Sequence, residues 1–168
     1  MQDFKLEDLP AGEVISYRHE FAASPQQLYA AFTDPSLFVR WFGPADWKVM
    51  PQTLTLEPVL GGRQQFVMQH RVEKKFQAPL YMRFVDMREP SLIEYREALP
   101  TPQGQPSETL VGIRLEFEAG TVVTEDGVGE GTILKLTQGP LPAGVHEQTL
   151  ESWKGSFTKL TDLLTQQG

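Results

Sequence analysis

The segment from Phe21 to Pro44, FAASPQQLYAAFTDPSLFVRWFGP, limits what this chain can fold into more than any other stretch. Ser24 suits a helix N-cap, Pro25 the first helical position, and Gln27 the third, from which its side chain can return to the cap amide. Ala23 and Leu28 flank that box as a small hydrophobic staple. Thr33-Asp34-Pro35 then stops the helix and starts a second one, because the residue before a proline avoids the helical region. The second helix runs out at Trp41-Phe42-Gly43-Pro44. Two short helices following the first strand must therefore be packed against whatever the rest of the chain supplies.

The rest reads as antiparallel sheet. Glu13 to Phe21 alternates, with Ile15, Tyr17, His19 and Phe21 on one face. Gln52 to Leu56 is a second strand, closed by the turn signal Gly61-Gly62. Arg63 to Arg71 follows, with Gln64, Phe66, Met68 and His70 on a shared face. Leu80 to Arg88 and Leu92 to Ala98 join tightly across Glu89-Pro90-Ser91. Beyond the turn formers of the Pro100–Pro106 loop, strands near Thr109 to Phe117 and Gly131 to Gln138 flank an Asp126–Gly131 loop. Successive strands without helical crossovers predict a meander rather than a parallel sheet. The stretch holding Trp47 stays unassigned.

The C-terminal segment carries the clearest helical period. His146, Leu150, Trp153, Phe157, Leu160 and Leu164 follow a 4-3-4-3-4 spacing, one apolar stripe, with Glu147, Glu151, Lys154, Lys159 and Asp162 opposite. The only apolar partner for that stripe is the concave face of the sheet. A curved sheet and one helix do not fill all the space between them, so a cavity is expected, with complete filling by aromatic side chains as the competing outcome.

Length and charge exclude several function classes. A chain of 168 residues supports one domain, read here as 1–168, with a core of its own. A formal charge of −7 and the lack of any Lys/Arg run argue against nucleic acid and against an anionic membrane surface. With no cysteine, disulfides, thiol nucleophiles and thiolate metal sites are out. No apolar stretch has the length of a signal peptide or a membrane span, so a cytoplasmic protein without integral membrane association is the expectation.

Taken in order, the F-x-A-x-P entry at Phe21 to Pro25, Thr33-Asp34-Pro35, Trp41-Phe42-Gly43-Pro44, Gly61-Gly62 before Phe66-Val67-Met68, and the Gly131-Thr132 strand leading to the Trp153 helix resemble the START-like superfamily (SRPBCC, the Bet v 1 and polyketide-cyclase group). Within it they are most similar to the family named after the C-terminal domain of the activator of the HSP-90 ATPase. The resemblance runs from about residue 14 to 164. It implies an α+β helix-grip fold, a curved antiparallel sheet of about six to seven strands wrapped around a long C-terminal helix. It also implies binding of a small apolar or amphipathic molecule between sheet and helix, and in some branches its cyclisation or hydration. Two positions depart from the pattern: Gln64 stands where an aromatic residue is frequent, which predicts a more polar pocket, and Ser152 stands where glycine often precedes the helix tryptophan.

Strand parity and the helix stripe nominate Phe32, Trp41, Phe42, Gln64, Phe66, Met68, Tyr81, Tyr95, Leu134, Leu136, Trp153 and Phe157 as ligand-binding residues. Arg83 shares parity with Tyr81, so it could face inward and pair with a ligand carboxylate, although Met82 and Phe84 compete for that face. Glu97 shares parity with Tyr95, and a buried glutamate with a raised pKa could serve as a general acid or base. His70, Glu97 and Arg83 are thus the catalytic candidates, but no G-x-S-x-G, phosphate loop or calcium loop accompanies them. His19, His70 and His146 fall on inward faces without any zinc spacing, so neither metal nor cofactor is expected. The leading expectation is ligand binding without turnover; a cyclase- or hydratase-type enzyme and a co-chaperone or interaction domain are the alternatives. A chaperone partner is not expected, because about a dozen residues precede the first strand. The Pro100–Pro106 loop or an edge strand could support a homodimer.

Overall fold

A computed structural model describes residues 3–167. Its sheet holds strands β1 (Ile15–Phe21), β2 (Trp47–Val49), β3 (Thr55–Leu56), β4 (Arg63–His70), β5 (Gln77–Arg88), β6 (Leu92–Pro100), β7 (Pro106–Thr124) and β8 (Gly127–Gly139). Helices α1 (Pro25–Thr33) and α2 (Pro35–Phe38) follow β1, and α3 (His146–Gln167) closes the chain. The strand order is β1-β8-β7-β6-β5-β4-β2, antiparallel throughout, with β3 paired beside it to β4. This is the curved antiparallel sheet around a long C-terminal helix that the sequence predicts.

The entry segment folds as its residues dictate. The Ser24 hydroxyl accepts from the Gln27 amide at 3.1 Å, and the Gln27 side-chain oxygen accepts from the Ser24 amide at 2.9 Å. Asp34 ends α1 and caps α2, accepting from the Ser36 amide at 2.9 Å. Each cap satisfies amides that a helix start leaves unpaired.

Two readings of the sequence need correction, and one unassigned stretch takes its place in the sheet. Only Thr55 and Leu56 of the Gln52–Leu56 segment are strand; Pro51–Thr53 is a 3-10 turn, because Pro51 lacks the amide a ladder needs. The Trp47 stretch is strand β2, pairing Trp47 with His70 and Val49 with Met68. The Asp126–Gly131 loop is instead part of a ladder continuing to Thr124 opposite Gly127. Backbone pairing needs no side chains, and Gly127, at φ +107°, closes the turn locally. The resulting β7–β8 arm extends past β1, whose pairing ends at Phe21 opposite Thr132.

The N-terminal segment also packs in a way the sequence reading does not anticipate. Leu6 is buried against Gly112, and Arg96 pairs with Asp3 at 2.7 Å and Glu94 at 2.8 Å while its guanidinium lies over the Phe4 ring. Arg96 and Glu97 are neighbours on β6, so they project to opposite faces of the sheet. The Asp3–Leu6 segment therefore shields the outer face, and Glu97 faces the helix side.

Candidate functional site

The space between sheet and α3 is filled at one end and open at the other. At the filled end Trp41 stands edge-on to Phe32 at 4.8 Å and to Phe38 at 5.9 Å, and its indole donates to the Ala31 carbonyl at 2.9 Å. Phe157, Leu160, Leu163 and Leu164 of α3 close over this cluster. At the other end a cavity of about 380 Å³ remains. Its floor is Met68, Leu80, Met82, Ile113 and two polar side chains, Glu97 and Gln138. The N-terminal half of α3 roofs it with Thr149, Ser152, Trp153 and Ser156, and Phe42 and Pro44 form one wall. The exposed Val145 and Gln148 stand at its rim.

Strand pairing explains the floor. Met82 of β5 lies between Gln64 and Glu97 in the register, and Glu97 lies between Met82 and Val111. Gln138 pairs with Ile113, and its side-chain oxygen accepts from the Trp153 indole at 2.7 Å. That bond fixes Trp153 and leaves the Gln138 amide nitrogen without a hydrogen bond among the described residues, on a side chain that lines the cavity. Glu97 has no hydrogen-bond or ion-pair partner among the described residues, and burial raises its carboxyl to about 7. A carboxylate gives up hydration here with no counter-charge to compensate.

Two residues of α3 outside the nominated set, Lys159 and Gly155, hold the wall. Lys159, placed on the solvent face by periodicity, is half-buried and donates to the carbonyls of Pro44 at 3.0 Å and Trp47 at 2.8 Å. Burial, and then the Arg71 charge, lower its pKa to about 8. One turn earlier, a Cβ on Gly155 would stand 3.0 Å from the Ala45 amide nitrogen, so glycine permits the close approach. A glycine inside a helix costs about 1 kcal/mol relative to alanine, which is the sequence signal for such an approach.

The nominated residues separate into groups. Phe42, Met68 and Trp153 line the cavity, as does Glu97. Phe32, Trp41, Phe66, Leu134, Leu136 and Phe157 are core, packed away from it. Tyr81 and Arg83 lie on the opposite face of β5 from Met82 and Phe84: Arg83 is exposed and donates to the Gly61 carbonyl at 3.0 Å, and the Tyr81 hydroxyl donates to the Gly104 carbonyl. The buried faces of Met82 and Phe84 fix that parity, which corrects the inward placement of Tyr81 and leaves Arg83 in solvent, Met82 and Phe84 having taken the inner face. Gln64 and Tyr95 are fully buried beside one another, and neither the Gln64 amide atoms nor the Tyr95 hydroxyl makes a well-aligned hydrogen bond among the described residues. His70 accepts from the Glu73 amide at 3.0 Å at the far end of β4, remote from Arg83, so the catalytic candidates are not brought together. His19 meets the Tyr17 hydroxyl and His146 the Leu141 carbonyl. Among the described residues, no group of three His, Cys, Asp or Glu side chains converges on a metal position.

A second recess, of about 590 Å³, lies at the root of the β7–β8 arm between Ser24, Gln27, Thr121 and Gly131. Although larger, it is walled mainly by alanine and glycine, and the Ser24 and Gln27 side chains are committed to the capping box.

Against known proteins, a family model described as activator of Hsp90 ATPase homolog 1-like protein matches residues 22–165. The crystal structure of an AHSA1 protein from Silicibacter pomeroyi superposes with a TM-score of 0.78 at 17% identity, covering 92% of this chain and 99% of that one. A protein from Nitrosomonas europaea gives 0.72 at 19% identity, covering 95% and 98%. One from Staphylococcus epidermidis gives 0.68 at 23% identity, covering 93% and 92%. At these identities the likeness is one of fold. No curated protein sequence matches the chain. No described helix is long and apolar enough to cross a membrane.

Proposed function

We propose that this chain, which belongs to the activator of Hsp90 ATPase homolog 1-like family, binds a small amphipathic molecule under the N-terminal half of α3. The observation that carries this reading is the cavity itself, whose apolar walls are interrupted by Glu97, Gln138 and Ser156. Ligand sites of this kind are mostly apolar with a few placed polar groups, and about 300 Å³ is their lower size. At about 30 Å³ for each water displaced, 380 Å³ corresponds to roughly a dozen waters. An amphipath of about that many heavy atoms fits.

The test is calorimetric titration with 1-octanol and 2-naphthol, two neutral probes of suitable size. The native chain should saturate near one probe per chain, and Ser156→Phe, which fills the roof, should abolish binding in a folded sample. Unchanged binding by Ser156→Phe, or no saturation of the native chain, would overturn the reading.

One observation favours a second reading, an acid–base enzyme of the cyclase or hydratase kind. A carboxyl titrating near 7 inside a cavity is poised to exchange protons at neutral pH. Turnover of a bound substrate that persists in Glu97→Ala would exclude it. The chaperone alternative is supported by the family's description alone, whereas ligand binding is supported by this chain's own residues.

A further inference from the structure

Among the described residues, the cavity wall carries one titratable group and no cation. Met68, Met82, Ile113 and Gln138 face Glu97 from β4, β5, β7 and β8, and α3 presents hydroxyls rather than charges. The charged residues of the helix stripe, Glu147, Glu151 and Lys154, are exposed on its other side. Glu97 therefore lacks the partner that a buried carboxylate elsewhere in the chain has; Glu94, on the same strand, is paired with Arg96 at 2.8 Å. A desolvated charge without a partner is costly, and a ligand that brings the opposite charge removes that cost on binding. The free Gln138 amide nitrogen and the Ser156 hydroxyl can add polar contacts beside it.

We infer that the cavity selects small amphipaths whose polar end is a protonated amine, paired with the Glu97 carboxylate while the apolar end lies against Met68, Met82 and Trp153. This rests on the ligand-binding reading above and deepens it by naming the ligand class. Carboxylates of the same length are disfavoured, because the wall offers them a like charge and no Lys, Arg or His. The chain's net charge of −7 adds a long-range bias toward cations.

The experiment compares 1-octylamine, 1-octanol and octanoate by calorimetry at about pH 8 and about pH 5.5. At pH 8 octylamine should bind at least tenfold tighter than octanol, and octanoate most weakly. If only the ionised form of a carboxyl titrating near 7 takes the amine, its affinity falls roughly 30-fold by pH 5.5. Octanol should lose little over the same range. In Glu97→Gln, with its fold checked by circular dichroism, the ratio of octylamine to octanol affinity should collapse toward unity. Saturable octanol binding with no preference for the amine overturns this inference and leaves the pocket reading standing. A retained amine preference in Glu97→Gln also overturns it, since the charge would then lie elsewhere. No binding of any of the three by the folded native chain overturns the pocket reading and this inference together.

Discussion

Along α3, the four residues that reach the sheet after Ser156 are Phe157, Leu160, Leu163 and Leu164, all buried in the core. Before Phe157, Leu150 packs against the core, while Thr149, Ser152, Trp153 and Ser156 line the cavity. Both halves face one sheet, yet the first leaves a cavity and the second does not. The difference lies in side-chain volume and in what stands opposite. The C-terminal half meets the aromatic cluster of Phe32, Phe38 and Trp41, which interlocks edge to face and leaves no room. The N-terminal half meets Met82, Ile113, Glu97 and Gln138, and Thr149, Ser152 and Ser156 carry only short hydroxyl side chains toward them. Trp153 and Phe157, 5.5 Å apart, mark the boundary. A cavity here follows from small residues placed at inward helical positions, not from a shortage of apolar ones.

The sharpest way to break that comparison is to exchange volume across the boundary. Phe157→Ala should cost about 3–5 kcal/mol by chemical denaturation, as expected for a packed aromatic side chain. Ser156→Ala, one residue earlier and open to the cavity, should change stability by less than about 1 kcal/mol. Equal losses at the two positions would mean that both halves are packed alike. Next in size is the wall. Removing the two Lys159 hydrogen bonds to Pro44 and Trp47 with Lys159→Ala should cost about 1–3 kcal/mol, since a charged donor is lost from two carbonyls. No loss would show that the loop is held without it.

Glu97 sharpens the comparison through pH. Its folded pKa of about 7 lies above the ordinary 4.5, so the folded state holds the proton more tightly. Its contribution to stability is then full below pH 4.5 and is lost as pH rises through 7. The loss should be on the order of 1–2 kcal/mol, discounted because the carboxyl reaches solvent through the cavity. Melting curves across that window should show the slope in the native chain and lose it in Glu97→Gln; a slope unchanged by the substitution would assign it to another group. The smallest effect belongs to the filled end of the sheet. The doubly substituted Gln64→Leu, Tyr95→Phe chain removes three buried polar atoms that have no partner and should gain about 1 kcal/mol. A loss of stability would indicate that those groups are satisfied in solution.

Much of the fold was legible because it is written in local chemistry. The Ser24–Gln27 box, the Asp34-Pro35 break and the stripe through Trp153 and Leu164 each follow from short-range rules that tertiary packing had no reason to override. The cavity was legible only in outline. Aromatic residues such as Trp41 and Phe32 drew the reading because they are large and apolar, and for that same reason they fill space rather than border it. Parity misplaced Tyr81 and left Arg83 open, because a strand with apolar residues at both parities, as in Leu80 to Val85, does not say which face is inner until a partner strand sets it. Lys159 was hidden for another reason: its two acceptors are backbone carbonyls of a distant loop, which no side-chain pattern can announce. Glu97 was visible as a candidate, but its isolation depends on what the other strands and α3 do not place beside it.

If one half of α3 roofs an open site while the other is packed, methionine methyl NMR will tell the two halves apart. Met68 and Met82 line the cavity, whereas Met87 packs against the filled core. Titrating 1-octanol into protein labelled at the methionine methyls should shift Met68 and Met82 together, saturating near one equivalent, and leave Met87 in place. Movement of Met87 with Met82 unmoved, or no shift of either cavity methyl at saturating octanol, would contradict the account.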